Sequence, residues 1–386
     1  ICRIFFALNL LDICKTKTNI MKSKLLLFFF IPLLSFSQTI IDSRLLDQNN
    51  NSIKPSLFGE SVSISSDGTI IAIGGPGNNE NSFVRVFKYD KGIWKQFGED
   101  IINESILERV GNSVALSSNG HILAIGAEKG GDLDEGHVRV YQNINNKWEK
   151  IGSSIVGEGI QHLFGHKVVI SGKGDIIAAS SINGNSKRGY VKVYKNESGT
   201  WTQIGTTIKG KDRNDYLGSD IDLSVDGKTL VIGTWGEDGA AGDAGQAQVY
   251  EFKDNDWSQI GVNINGDLGG DRFGSSVAIS DNGNIFAASA PLYNVNNTGL
   301  KDAGQIKIFE NNSGTWIQKG SNILGTSNRG FLGSSLSFSS DGNTLLIGES
   351  DENTVYVFEF TNGDWTLKGN SINKSHGFGD SVSITS

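Results

Sequence analysis

Cysteine, proline and histidine are scarce in this sequence, and each shortage closes off a class of protein. Two cysteines in 386 residues, Cys2 and Cys14, are too few for a disulfide framework, a zinc knuckle or a thiol nucleophile. Only 4 prolines accompany 50 glycines, and glycine at that density fits many tight turns between short strands better than the helices of an ordinary enzyme. Those glycines do not recur at every third position, which excludes collagen. Positive charge is also short: the formal net charge is −8, so nucleic acid is not an expected partner for a protein that would have to neutralise phosphates.

A long apolar run is missing too. The run from Leu25 to Leu34 is too short to span a bilayer, and it follows the basic Met21-Lys22-Ser23-Lys24. A short basic segment, an apolar stretch and small residues at Ser35 and Ser37 make residues 21–37 a secretory signal peptide, with cleavage before Gln38. Residues 1–20 begin with Ile and hold both cysteines, and they read as non-native upstream translation. The mature chain is then 38–386, a single domain without cysteine and with a net charge of −12. It is expected to be secreted or displayed at the cell surface, without membrane insertion, and to owe its stability to burial and hydrogen bonds.

What the sequence does have is an internal repeat. Six of the seven tryptophans stand in the pattern Trp-x-x-x-Gly: Trp94, Trp148, Trp201, Trp257, Trp316 and Trp365, followed by Gly98, Gly152, Gly205, Gly261, Gly320 and Gly369. A second mark keeps the same step, an apolar residue followed by glycine at 58, 110, 164, 217, 273, 332 and 378. Seven units therefore start, and the last stops soon after its start. In the second unit four strands are expected near 113–116, 122–126, 137–141 and 147–151. Alternation in Val138-Arg139-Val140 and Val191-Lys192-Val193 suits half-buried strands. Pairs such as Asp67-Gly68, Asn119-Gly120 and Asp226-Gly227 join the first two strands, and they predict type I′ hairpins.

Four-stranded units of this length, repeated in series, predict an all-β fold: a β-propeller, seven-bladed, of four-stranded antiparallel blades with the last blade truncated. A solenoid is the alternative, but its first and last units would need polar caps, and here they look like interior ones. Residues 39–46 are placed to supply an outer strand to the seventh blade.

The repeated Phe-Gly-x-Ser-Val start, with Ile-Gly-Gly-Pro at 73–76 and Ala-Ser-Ala-Pro at 288–291, resembles the FG-GAP repeat of integrin α subunits and exported bacterial proteins. The resemblance covers residues 58–386 and implies a propeller used for adhesion or ligand binding rather than for one reaction. Integrin-type repeats often bind calcium through Asp-x-Asp-x-Asp-Gly, and every unit here departs from that pattern. With at most one carboxylate in each turn, calcium is not supported as a cofactor, since it takes six to eight oxygens. The nearest substitute is Asp132, Asp134 and Glu135, for which a solvated acidic turn is the plainer account.

Strand order selects a face. Loops joining second and third strands lie on the same side as the links between blades, and here these are the long, variable ones: 127–136, 181–189, 234–245, 289–304, 209–216 and 265–272. Function concentrates in such loops. Trp235 lies outside the repeating position, on that face, with Tyr293 in the equivalent loop of the fifth unit. An exposed aromatic there would stack on a sugar while Asp238, Asp243 or Asp271 accepts its hydroxyl protons; alternatively, Trp235 folds back over the end of the core. The repeated tryptophans are expected to pack between neighbouring sheets.

No catalytic constellation emerges, because the five histidines fall at unrelated positions in the units and no nucleophile elbow or phosphate loop is present. The expected function is recognition of a glycan or surface protein through the long-loop face. A structural spacer in a larger surface protein and a carbohydrate-active enzyme with a carboxylate pair are the alternatives.

Overall fold

Apolar residues at every second position produce short strands here, and the spacing of the glycines sets where each strand ends. In the computed structural model the described residues are 4–6 and 57–385, apart from 78–81, 106, 239–240, 297 and 375–376. The proposed signal peptide and residues 39–46 lie outside them. Among the described residues no helix is long and apolar enough to cross a membrane.

Six antiparallel sheets follow one another along the chain. The second shows the pattern: Val110–Leu116, Ile122–Ala127, His137–Ile144, Lys147–Lys150 and Ile155–Val156. The last two strands both pair with the third, Lys150 opposite Tyr141 and Ile155 opposite Val138. Each sheet is thus four ranks wide, and its outer rank is broken in two at the glycine of Trp-x-x-x-Gly. This corrects the expectation of four strands per blade to five.

The count of seven blades is also corrected. Among the described residues six blades are complete, and the seventh unit contributes one innermost strand, Val382–Ile384, paired antiparallel with Ile4–Phe6. That strand sits between the sixth blade and the first. Its Val382 N–H donates to Ser335 Oγ at 3.1 Å, while Ser381 Oγ accepts from Val62 N–H at 3.2 Å. The same contact joins other neighbours, from Val114 N–H to Ser61 Oγ (2.9 Å) and from Val168 N–H to Ser113 Oγ (3.0 Å). The innermost strands therefore close into a ring.

Blades pack face to face, which explains two features of the repeat. The indole N–H of Trp148, Trp201, Trp316 and Trp365 donates to a carbonyl of the preceding blade, Phe97, Ile151, Ile260 and Lys319 respectively. The glycine one residue after each acceptor makes room for the indole: a Cβ at Gly98 would lie 2.7 Å from Trp148 Cδ1. Because middle strands are covered on both sides, Val138-Arg139-Val140 is buried throughout rather than half-buried. Arg139 is held there by Glu108, at 3.0 Å.

The hairpins are not type I′. At Asp67-Gly68 only the glycine is left-handed (φ 67°), and its N–H bonds to the Ser65 carbonyl. Asp67 instead accepts the Ser65 hydroxyl at 2.7 Å and the Thr69 N–H at 2.9 Å. Serine and an Asp or Asn recur together in this way at 117/119, 224/226, 280/282 and 339/341. The carboxylates of these turns therefore serve as side-chain acceptors within the turn.

Candidate functional site

Seven innermost strands leave a polar channel along the axis, with a cavity of about 190 Å3. Each unit contributes the third residue after its apolar-glycine start: Ser61, Ser113, Lys167, Asp220, Ser276, Ser335 and Ser381. Lys167 Nζ faces Asp220 at 3.5 Å. Asp222 lies deeper, surrounded by protein yet reached by water, and accepts N–H groups from Ile279 and Leu223, both at 2.8 Å. Burial pushes its carboxyl up to about 7 despite those two donors, with Asp220 and Asp281 adding repulsion.

A carboxyl raised in the folded state binds its proton there more readily than in the unfolded chain. Its stabilising effect is thus complete below the unfolded value near 3.8 and is lost as pH rises through about 7. Asp222→Asn removes the titration but keeps an oxygen for only one of the two N–H groups, a loss that is the same at every pH. Relative to the parent the variant should therefore fare better at pH 8 than at pH 4, read from urea midpoints at the two pH values.

The channel opens on the long-loop face. The residue before each blade start is left-handed, including Leu57, Arg109, Leu163, Tyr216, Arg272 and Phe331 (φ 54–74°). These six differ in chemistry, and all are partly or fully exposed. Beside them, Glu128 accepts a hydrogen bond from Arg109 on one oxygen and meets His166 Nδ1 at 2.8 Å on the other. The Glu128 side chain is only 7% exposed, against 26% for His166. Burial opposes ionisation of Glu128, but the His166 hydrogen bond and the charges of His166 and Arg109 outweigh it and hold the carboxyl below its usual range. A buried carboxylate thus orients an imidazole that opens toward solvent, an arrangement able to transfer a proton. The sequence concealed this trio because its members come from an inter-blade link, a loop and an innermost strand.

The residues singled out from sequence are dispersed. The half-buried Trp235 packs against Tyr216 (ring centroids 4.2 Å apart, planes 12° apart), and the Arg272 guanidinium lies 4.5 Å from its ring centre. Its π surface is taken up by the protein's own side chains. Tyr293 is buried in the hydrophobic cluster around Phe273 and Phe286 rather than exposed beside Trp235. Asp271 is 2% exposed and ties its own link together by accepting the Leu268 N–H at 3.0 Å; burial pushes it up to about 6. Asp238 and Asp243 remain exposed, joined by the Asp243 N–H to Asp238 Oδ1 at 3.2 Å. In the acidic loop Asp132 is exposed, Asp134 is left-handed and Glu135 turns back to the Leu133 N–H. Among the described residues no three His, Cys, Asp or Glu side chains converge as metal ligands.

No protein-family model matches the chain, and no curated protein matches it. Solved structures share its fold. A candidate 6-phosphogluconolactonase from Bacteroides uniformis is 16% identical with a TM-score of 0.61, over 84% of this chain and 88% of that one. The periplasmic gluconolactonase PpgL of Pseudomonas aeruginosa is 15% identical (TM-score 0.57, 86% and 88% covered). Hydrazine synthase of Kuenenia stuttgartiensis is 14% identical (TM-score 0.55, 88% and 92% covered). Proteins so differently named share the scaffold, so the likeness defines this chain as a β-propeller and leaves its chemistry to its own residues.

Proposed function

We propose that this protein is an exported recognition module that binds a glycan or a cell-surface protein through the long-loop face, as the resemblance to FG-GAP repeats implies. One observation carries the reading. Residues that obey the repeat are largely consumed by blade packing and hairpin closure, whereas the residue before each blade start changes from unit to unit and stays at least partly exposed on the long-loop face. Leu57, Arg109, Leu163, Tyr216, Arg272 and Phe331 there mix aliphatic, aromatic and guanidinium groups, the composition of a binding surface.

The test is binding of the secreted chain to a glycan array and to surface-protein extracts, beside Tyr216→Ala/Phe331→Ala. The double variant should weaken binding by about tenfold or more, in line with loss of interface aromatics, while circular dichroism is unchanged. Binding that ignores both substitutions would sink the reading. A hydrolase is the second reading, favoured by the Glu128–His166 pair and by the lactonase names among the similar folds. Turnover of a lactone or ester in the same preparation, abolished by His166→Ala, would move the assignment there.

A further inference from the structure

The chain as a whole is acidic, yet one sector of the long-loop face is basic. The loop Ile182–Gly189 and the link Gly210–Tyr216 lie side by side, joined by the Tyr216 N–H to the Lys187 carbonyl and the Leu217 N–H to the Arg188 carbonyl, both at 3.0 Å. They expose Lys187, Arg188, Lys211 and Arg213, and Arg272 follows across Trp235. Lys187 Nζ stands 5.7 Å from the Tyr216 ring centre, so Lys187, Tyr216, Trp235 and Arg272 form one continuous stack. Neither Arg188 nor Arg213 has a carboxylate partner among the described residues, and Lys211 has only the exposed Asp212 at 3.6 Å.

Five acids lie in the same sector, as many as the cations, but they are not equally exposed. Asp215 is buried, and it and Glu237 are both pushed up, first by burial and then by neighbouring carboxylates. Asp212, Asp238 and Asp243 are the exposed carboxylates of the sector. Two other links differ in their cations rather than in having acids: Asp215 matches Glu108 and Asp271 two residues before the blade start, whereas Lys211 stands where those links have Glu104 and Asp267. The basic loop is also held at a cost. Asn185, Ser186 and Lys187 are left-handed in succession (φ 54°, 66° and 64°), a conformation that non-glycine residues adopt only singly as a rule. Strain of this kind is retained where neighbouring structure imposes it, often at functional sites.

Building on the recognition reading, we infer that this sector binds a polyanionic glycan, one carrying uronate or sulfate groups along its length. Several long, separated cations suit an extended chain of charges. An acidic protein surface fits less well, because a protein interface has an apolar centre. None of the exposed large hydrophobic side chains lies in 182–189 or 210–216. The aromatic stack fixes Tyr216 and Arg272 in place and leaves the guanidinium to meet an anionic group.

Polygalacturonate is the probe, with dextran, poly-L-glutamate and duplex DNA as comparisons, and binding of the secreted chain is followed as salt is raised. The chain should bind polygalacturonate, bind dextran not at all, and release the polyanion with salt. Lys211→Glu/Arg213→Glu should lower affinity by about tenfold, since two attractive charges become repulsive. Arg188→Glu provides a second, exposed substitution with the same expected direction. Absence of binding, indifference to all these substitutions, or equal binding of poly-L-glutamate or DNA would overturn the inference. If another array glycan or a surface protein binds in a manner sensitive to Tyr216→Ala/Phe331→Ala, the recognition reading survives that failure. If nothing binds, both fall.

Discussion

Gly126→Ala is expected to destabilise the protein by about 3 kcal/mol, at the upper end of what an added core methyl costs, by forcing the second and third blades apart. Gly126 has an ordinary strand conformation, so the effect is steric and owes nothing to glycine's conformational freedom. A Cβ on it would lie 2.1 Å from the Gly165 carbonyl oxygen, a backbone atom that cannot swing away. Gly74, Gly233 and Gly348 meet the glycine of the following blade start in the same way, at 1.9 to 2.0 Å. The third and fifth blades carry Ser180 and Ser289 instead, and there the Lys167 and Ser276 N–H groups donate to the serine hydroxyls. Ser180→Ala should therefore cost only about 1 kcal/mol, the worth of one hydrogen bond. Urea midpoints of the two variants provide the check. Equal, small effects would mean that the blades yield at this contact.

Trp316→Ala should cost about 3–5 kcal/mol, as for other large aromatics removed from a core. The side chain is 8% exposed, and its ring stands edge-on to Phe286 with centroids 4.8 Å apart. Its N–H donates to the Ile260 carbonyl of the preceding blade at 3.1 Å. Trp316→Phe retains most of the packing and deletes the donor, so about 1 kcal/mol should be lost from the hydrogen bond, plus a smaller packing loss. A ranking with Phe as damaging as Ala would place the energy in the hydrogen bond rather than in burial. Thermal melts and urea midpoints of both variants decide between them.

These two contacts explain why so much of the architecture was legible in the sequence. Trp-x-x-x-Gly is a contact between consecutive units: the indole of one occupies the space that the glycine of the preceding unit leaves open. The apolar-glycine start and the Ile-Gly of the second strand are likewise the two sides of one close approach. A repeated interface must repeat its residues, so the pattern carries the packing with it. The hairpin prediction failed because Asp-Gly was read as a backbone signal alone. The aspartate is chosen for what its carboxylate accepts, from Ser65 and Thr69, and a type I′ backbone is not needed.

The candidate site was less legible, and for the same reason in reverse. Arg109, Glu128 and His166 occupy three different positions in their units and come together only because one blade's loop lies against the link before that blade and the innermost strand of the next. Trp235 was visible as an exception to the repeat, but its partners were not: Tyr216 and Arg272 belong to the two links flanking its loop. Tyr293 looked equivalent to Trp235 by loop number, yet it turns inward to the Phe273 and Phe286 cluster. The basic sector went unnoticed because Lys187 and Arg188 are separated in sequence from Lys211 and Arg213, and because the net charge has the opposite sign.

The sequence by itself determined the unit, the order of strands within it, and which face carries the long loops, since all three follow from periodicity and the spacing of glycines. Only the tertiary structure decided that Val382–Ile384 takes its place in the inner ring and which irregular residues meet. The physical reason is the distance over which each is specified. A strand or turn is encoded by residues a few positions apart, whereas the channel, the Glu128–His166 pair and the basic sector exist only where separate units are pressed together.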